Sequence, residues 1–202
     1  MIPTRLALVP WLLMAACVAA GLLWHAGDEL AGLGRTVATG TASVGGPFTL
    51  TDQDGHRRSD TDFRGRYVLV YFGYSFCPDV CPTTLGIMAD AYAKLGASKG
   101  RIVPLFVTLD PERDTAKVLK TYLSAFGPEF IGLTGSADAI RRTAQEYRVY
   151  YSKHPLPNGA YAVDHTSVIY LMGPDGKFIT FYGEAALSPD SLAADLRNRV
   201  PS

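Results

Sequence analysis

The chain has 202 residues, of which 48% are hydrophobic and 19% charged. That is enough apolar material for one well-filled domain of about 150 residues plus an additional segment, and it excludes disorder as the main state. Lys and Arg together number 19, as do Asp and Glu, so the basic footprint of a nucleic-acid binder is absent; three cysteines are too few for a disulfide-stapled mini-protein.

Residues 6–24 read LALVPWLLMAACVAAGLLW, nineteen positions without a charge. At about 1.5 Å per helical residue this length approaches the roughly 30 Å hydrocarbon core of a bilayer. Arg5 precedes the run and Asp28 and Glu29 follow it, which favours a cytoplasmic N-terminus and export of the rest. Residues 1–27 are therefore expected to be a membrane anchor. The expected placement is single-pass in the inner (cytoplasmic) membrane, with the C-terminal domain on the periplasmic side. A cleaved signal peptide is one rival, and lipidation of Cys17 within Met14-Ala15-Ala16-Cys17, a poor lipobox, is another. All three put the body outside the cytoplasm. Residues 28–43, rich in Gly, Ala and Thr, read as a linker, and 44–202 as the folded domain.

Within that domain, strand-like and helix-like stretches alternate. Residues 48–51 predict a short strand ending in a turn at Asp54-Gly55. The run YVLVYFG at 67–73 is apolar throughout, as in a strand buried on both faces. Residues 83–95 carry Leu85, Met88, Tyr92 and Leu95 at helical spacing, and 102–109 read as a second buried strand. A helix over 114–126 is followed by a strand at 130–133 and a helix from Ser136 to about Tyr147. The Pro- and Gly-containing stretch 150–161 predicts an irregular insertion or loose hairpin. Strands at 167–172 and 177–182 flank the turn signal Gly173-Pro174-Asp175-Gly176, and a helix at 192–200 closes the chain. This order implies an α/β, thioredoxin-like mixed sheet flanked by helices.

Phe76-Cys77-Pro78-Asp79-Val80-Cys81-Pro82 lies between the first buried strand and the first helix. With Pro82 at the first helical position, Cys81 sits at a helix N-terminus, where the dipole lowers a thiol pKa. Residues four apart on a regular helix hold their Cβ atoms about 5–6 Å apart, against the roughly 3.5–4.5 Å a disulfide needs. Pro78 argues for a loop that permits the bridge, so the pair reads as either dithiol or disulfide. A purely structural disulfide is the plain alternative, although so small a loop would stabilise little. The C-x-x-x-C spacing is one residue longer than the thioredoxin C-x-x-C. It suits two soft ligands around one ion, of the kind that select Cu(I), zinc or iron–sulfur clusters.

Zinc would want four ligands, whereas a three-coordinate copper site needs one more donor. His25 borders the apolar run and His56 sits in a polar turn with Arg57 and Arg58, so both read as solvated. His154 in the insertion is a mobile candidate. His165, just ahead of the strand at 167–172, can face the cysteine turn, or can simply be a histidine satisfied by backbone. Asp164 would point to the opposite face. Met88 reads as core, and Asp79 either favours a bound cation or caps the turn. Tyr71, Tyr74 and Phe76 are candidates for a docking patch, with core packing preferred for Tyr71.

Taken together, Cys77-Pro-Asp-Val-Cys81-Pro, then Asp110-Pro-Glu-Arg-Asp114-Thr, then Asp164-His165-Thr, behind one N-terminal anchor, resemble the Sco/SenC family of copper-binding proteins. The resemblance covers about residues 44–200. It implies a thioredoxin-like fold and a copper site, Cu(I) or Cu(II), made by Cys77, Cys81 and His165. It also implies delivery of copper to the CuA centre of cytochrome c oxidase, or reduction of its cysteines, during assembly. The implied partners are the copper-bearing oxidase subunit, an upstream periplasmic copper donor and the membrane.

The competing reading is an exported thiol–disulfide oxidoreductase using Cys77 and Cys81. It is weakened by the longer spacing and by the lack of a proline just before the strand at 167–172. A peroxiredoxin-like peroxidase is set aside, because Tyr74 stands where that chemistry wants a Thr or Ser.

Overall fold

The computed structural model describes residues 43–183 and 187–200. The expected anchor at 1–27, the candidate lipidation site Cys17 and nearly all of the linker lie outside the described residues. Within them, no helix is long and apolar enough to cross a membrane.

Nine strands and four α-helices are described. The strands are β1 (Thr49–Asp52), β2 (Arg57–Ser59), β3 (Tyr67–Gly73), β4 (Ile102–Thr108), β5 (Ile131–Thr134), β6 (Tyr151–Pro155), β7 (Tyr161–His165), β8 (Val168–Met172) and β9 (Phe178–Gly183). The helices are α1 (Val80–Ala93), α2 (Ala116–Leu123), α3 (Ala137–Glu146) and α4 (Pro189–Arg199). Seven strands form one sheet in the order β2-β1-β5-β4-β3-β8-β9, and β6 and β7 form a separate hairpin.

The two most apolar strands take the middle of the sheet. All seven residues of β4 are buried, as are all of β3 after Tyr67. They pair in parallel from Tyr67 opposite Ile102 to Gly73 opposite Thr108. β8 runs antiparallel to β3, with Tyr71 opposite Ile169. This mixture positions the site. The chain leaving β3, the chain leaving β4 and the chain entering β8 all meet at one edge of the sheet. In open α/β sheets that edge, at the carboxyl ends of the parallel strands, is where ligands bind.

The differences from the sequence reading are local. Of the two readings open for 150–161, the hairpin holds and the irregular insertion does not: β6 and β7 pair regularly from Tyr151 opposite His165 to Pro155 opposite Tyr161, because Pro155 falls at the strand's end, where its missing N–H is tolerated. α1 begins at Val80 rather than at Pro82 or Thr83, so Pro82 is its third residue, still within the first turn where no helical N–H is needed. α4 begins at Pro189, three residues before the expected 192. There Ser188 accepts from the backbone N–H of Ser191 and proline takes the first helical turn, a start signal that apolar periodicity alone does not register. β2 was not expected; the Asp54-Gly55 turn, with Gly55 at φ 86°, returns three polar residues to pair with β1.

Candidate metal centre

The chain leaving β3 at Gly73 turns at once, with the Cys77 N–H donating to the Tyr74 carbonyl at 3.2 Å. Asp114, wholly buried, fixes this turn from the neighbouring β4 loop. Its carboxylate accepts from the Ser75 N–H at 3.0 Å, from the Ser75 hydroxyl, and from the Thr108 hydroxyl at 2.6 Å. Asp79 is the residue before α1, but its side chain makes no capping bond to the helix. The Sγ of Cys77 does so instead, accepting the Cys81 N–H at 3.4 Å. One of the orphan donors of the helix start thus aims at one of the two sulfurs.

Cys81, the second residue of α1, is wholly buried and Cys77 is half-buried; both are free thiols. The Sγ of Cys81 sits over Gly73, where an added Cβ would lie 2.8 Å from it. This close approach requires glycine. The dipole-lowered thiol expected at this helix start is not what results. Burial pushes the Cys81 thiol up to about 12, with the neighbouring Cys77 adding to the rise, because a thiolate in an apolar pocket loses more hydration than the helix end returns. The pocket therefore favours a neutral thiol at Cys81 until a cation takes the place of its proton.

His165, the last residue of β7, closes the site. Its Nδ1 lies 3.1 Å from the Thr166 carbonyl oxygen and its Nε2 lies 3.4 Å from the Sγ of Cys81. A carbonyl only accepts, so Nδ1 carries the proton and Nε2 turns a lone pair toward the sulfur. The rings of Tyr71 and Tyr74 meet the imidazole edge-on, with centroids 6.3 and 6.2 Å away, and fix its plane. Of the three residues expected as ligands, Cys81 and His165 are thus brought into contact, the latter by the antiparallel return into β8; the Cys77 sulfur lies beside them against the Cys81 N–H, and the three donor atoms do not all lie within 4.8 Å of one another. Two sulfurs and one imidazole nitrogen form a soft donor set that suits copper.

The other candidates fall elsewhere. His154, the mobile candidate, instead lies 2.9 Å from the Asp164 carboxylate on the outward, exposed face of the hairpin. Asp164 points away from His165, as strand alternation demands. Met88 is wholly buried core, and His56 is exposed in its turn. Asp52, Asp54 and His56 do bring three potential ligand atoms within 4.8 Å of one another. The Asp52 carboxylate, however, is already taken by Arg58 and by the N–H groups of Asp54 and His56. Of the three aromatics considered for a docking patch, Tyr71 and Tyr74 are buried and only Phe76, 57% exposed, faces outward.

Sequence reasoning gave no individual roles to Gly73, Asp110, Arg113, Asp114 or Tyr161, although all five surround the site. The cluster Asp110-Pro-Glu-Arg-Asp114 directly after a buried strand was the available signal.

Comparison with known proteins identifies the family. The SCO1/SenC family model matches residues 36–201. The mouse protein SCO1 homolog, mitochondrial, is 41% identical over 172 residues, covering 82% of this chain and 61% of that protein. The chain thus spans less than two thirds of that relative's length. The structure of Bradyrhizobium japonicum ScoI with copper bound superposes with a TM-score of 0.73 at 41% identity, covering 79% of this chain and all of that one. A structure of BsSco, a member of the Sco family of cytochrome c oxidase assembly proteins in which a disulfide switch was identified, gives 0.61 at 28% identity, covering 77% and 92%. The match extends over most of the chain and takes in all three motifs, and the chain belongs to the SCO1/SenC family.

Proposed function

We propose that this chain is a membrane-tethered copper-binding protein that serves the assembly of cytochrome c oxidase. In this role it delivers copper to the CuA centre or reduces the cysteines that receive it. The observation that carries the reading is the 3.4 Å approach of His165 Nε2 to Cys81 Sγ, with the Cys77 sulfur accepting the Cys81 N–H. A thiol exchanger does not require an imidazole here, whereas a copper site completed by a nitrogen donor does. In this reading Cys77, Cys81 and His165 are the ligands, and the copper-bearing oxidase subunit is the acceptor. Residues 1–27 anchor the chain in the inner membrane, residues 28–43 tether it, and residues 44–202 work on the periplasmic side, loaded by an upstream copper donor.

The site's shape supports release as well as binding. Cys81 is buried beneath it, whereas Cys77 is half-buried at a groove lined by Tyr74, Pro78, Val80, Val163, His165 and Ser167. Incoming acceptor ligands would therefore meet Cys77 and His165 first and Cys81 last, so that the ligands exchange one at a time.

The second reading is thiol–disulfide reductase. It is favoured by two free thiols at a strand-to-helix turn and by the disulfide switch reported for BsSco. The Cys77 thiolate would attack an acceptor disulfide to form a mixed disulfide, which Cys81 then resolves. Two electrons and two protons pass to the acceptor, leaving Cys77 and Cys81 bridged.

The test is copper content and Cu(I) affinity of the full chain purified under reducing conditions, with Cys81→Ala as control, followed by incubation with the oxidised CuA-bearing subunit. One tightly held copper per chain, lost in the control and passed to the subunit, supports delivery. No copper, with stoichiometric reduction of the subunit's disulfide, replaces it with the reductase reading.

A further inference from the structure

The hairpin that carries His165 belongs to its own two-stranded sheet and shares no ladder with the seven-stranded sheet among the described residues. The pairing of β8 with β3 brings the chain at His165 to the cysteine turn, and the side chains at the start of β7 then hold the rest of the hairpin in place. Tyr161, Val163 and His165 share the inward face of this strand, with Val163 buried and Asp164 exposed. Tyr161 is gripped at three points. Its carbonyl accepts from Arg113 Nη1 at 3.1 Å, its ring lies 3.8 Å from the Arg113 guanidinium carbon, and its hydroxyl donates to Asp110 at 2.7 Å. Asp110, wholly buried, also accepts from Arg113 Nε and lies 3.7 Å from Lys153 Nζ of β6.

Arg113 reaches the cysteine loop with the same guanidinium. Its carbon lies 4.8 Å from the centroid of Phe76 and 5.7 Å from that of Tyr74, the residues leading into Cys77. One planar cation therefore bridges the segment that supplies the thiols and the strand that supplies the imidazole. Its Nη2 is buried with no hydrogen-bond partner among the described residues, so ring faces rather than hydrogen bonds surround that end of the group. Lysine cannot reproduce this arrangement. A compact ammonium has no plane to lay between rings, and no fork with which to hold a carboxylate and a carbonyl together.

We propose that Arg113, held by Asp110, is a positioning residue of the metal site. It clamps the β6–β7 hairpin to the cysteine loop and so fixes His165 within ligating distance of Cys81. The identity of the metal rests on the copper reading above, but the clamp is a property of the metal-free protein and is measurable there.

The experiment is hydrogen–deuterium exchange on the full metal-free chain, comparing the parent with Arg113→Lys, Arg113→Met and Tyr161→Phe. Amides of residues 151–165 are expected to exchange about tenfold faster in both Arg113 variants, while those of β3 and β4 keep their protection. Tyr161→Phe, which removes only the hydroxyl bond to Asp110, is expected to produce a smaller change of the same sign. After copper loading, both Arg113 variants are expected to lose Cu(II) affinity by about 10- to 100-fold, with a weakened imidazole-nitrogen signature in electron paramagnetic resonance. Cu(I) held by the two thiols is expected to be much less affected.

Hairpin exchange unchanged in Arg113→Lys and Arg113→Met overturns the clamp, as does equal acceleration in β3 and β4, which marks general destabilisation. Should Arg113→Met fail to fold, Arg113→Lys and Tyr161→Phe decide by the same criterion. A parent that takes up no copper overturns the copper reading, while the exchange measurement still decides the clamp.

Discussion

The Sγ of Cys81 and the Nε2 of His165 stand 3.4 Å apart although 84 residues separate them in the chain. Each partner is held by its own surroundings. The sulfur is lodged over Gly73 at the start of α1, and the imidazole is fixed by the Thr166 carbonyl and the edges of two tyrosine rings. The thiol and the imidazole nitrogen are within hydrogen-bond reach of each other, and each is also held by its own surroundings, which is the preorganisation that a pair of ligands requires.

His165→Ala is expected to weaken Cu(II) binding far more than Cu(I) binding, because imidazole nitrogen matters most to the harder oxidation state and the two sulfurs remain. Lost ring contacts with Tyr71 and Tyr74 are expected to lower stability by about 1 kcal/mol. Metal titrations followed by absorption and urea unfolding of the same sample separate the two effects. Unchanged Cu(II) spectra and affinity would remove His165 from the ligand set.

Gly73→Ala tests the seat of the buried sulfur. The new Cβ would lie 2.8 Å from the Cys81 Sγ and 3.0 Å from Cε2 of Phe106, and both neighbours are wholly buried. A loss of about 1–3 kcal/mol is expected from the overpacking, together with weaker copper binding as Cys81 is displaced. The urea midpoint should fall with no change in slope; full stability with full affinity would show that the sulfur has room to move.

Alkylation should distinguish the two thiols of the motif. Cys77 is half-buried, whereas Cys81 is wholly buried and its thiol is pushed up by that burial. At pH 7–8 an iodoacetamide time course read by peptide mass mapping is expected to label Cys77 well before Cys81. Faster labelling of Cys81 would mean that the helix end activates this thiol despite its burial.

Acid stability depends on a contact remote from the site. Burial by itself would raise the Asp52 carboxyl, but the Arg58 guanidinium and the amides of His56 and Asp54 outweigh it and hold the group below its usual range. A depressed folded-state value means that the stabilisation is present above about pH 4 and is lost as the pH falls through the folded value. Arg58→Ala should therefore shift acid unfolding to higher pH. At pH 7 it is expected to cost about 1 kcal/mol, since Arg58 is itself partly solvated. Circular dichroism across pH 2–7 is the check, and an unmoved acid midpoint would assign the low-pH transition to other carboxylates.

The strands at 67–73 and 102–109 were legible because continuous apolar runs admit little else, and both occupy the centre of the sheet almost residue for residue. Helix starts were less legible. α1 and α4 each begin about three residues early, and at α4 the start is set by Ser188-Pro189 rather than by apolar spacing. The hairpin was one of two readings open for 150–161, and only the regularity of its pairing was masked by composition. Its prolines and glycine read as breakers, yet they cluster at the turn between β6 and β7, where they belong.

The sequence by itself determined the alternation of buried strands and helices, the thiol pair at a strand-to-helix turn, and the set of residues able to join it, because these follow from local spacing and side-chain chemistry. The sequence already pointed to His165 by its place ahead of the strand at 167–172, and the tertiary structure brought that residue to the Cys81 sulfur. It did so by running β8 antiparallel to β3, which brings His165 to the cysteine turn and leaves His154 beside Asp164. It also reversed the expected state of Cys81, since burial is a property of the packed chain and outweighs the field of a helix end. Finally, it gave Arg113 a role that no local pattern encodes, because the rings of Tyr161, Phe76 and Tyr74 converge on one guanidinium only after the hairpin folds back over the cysteine loop.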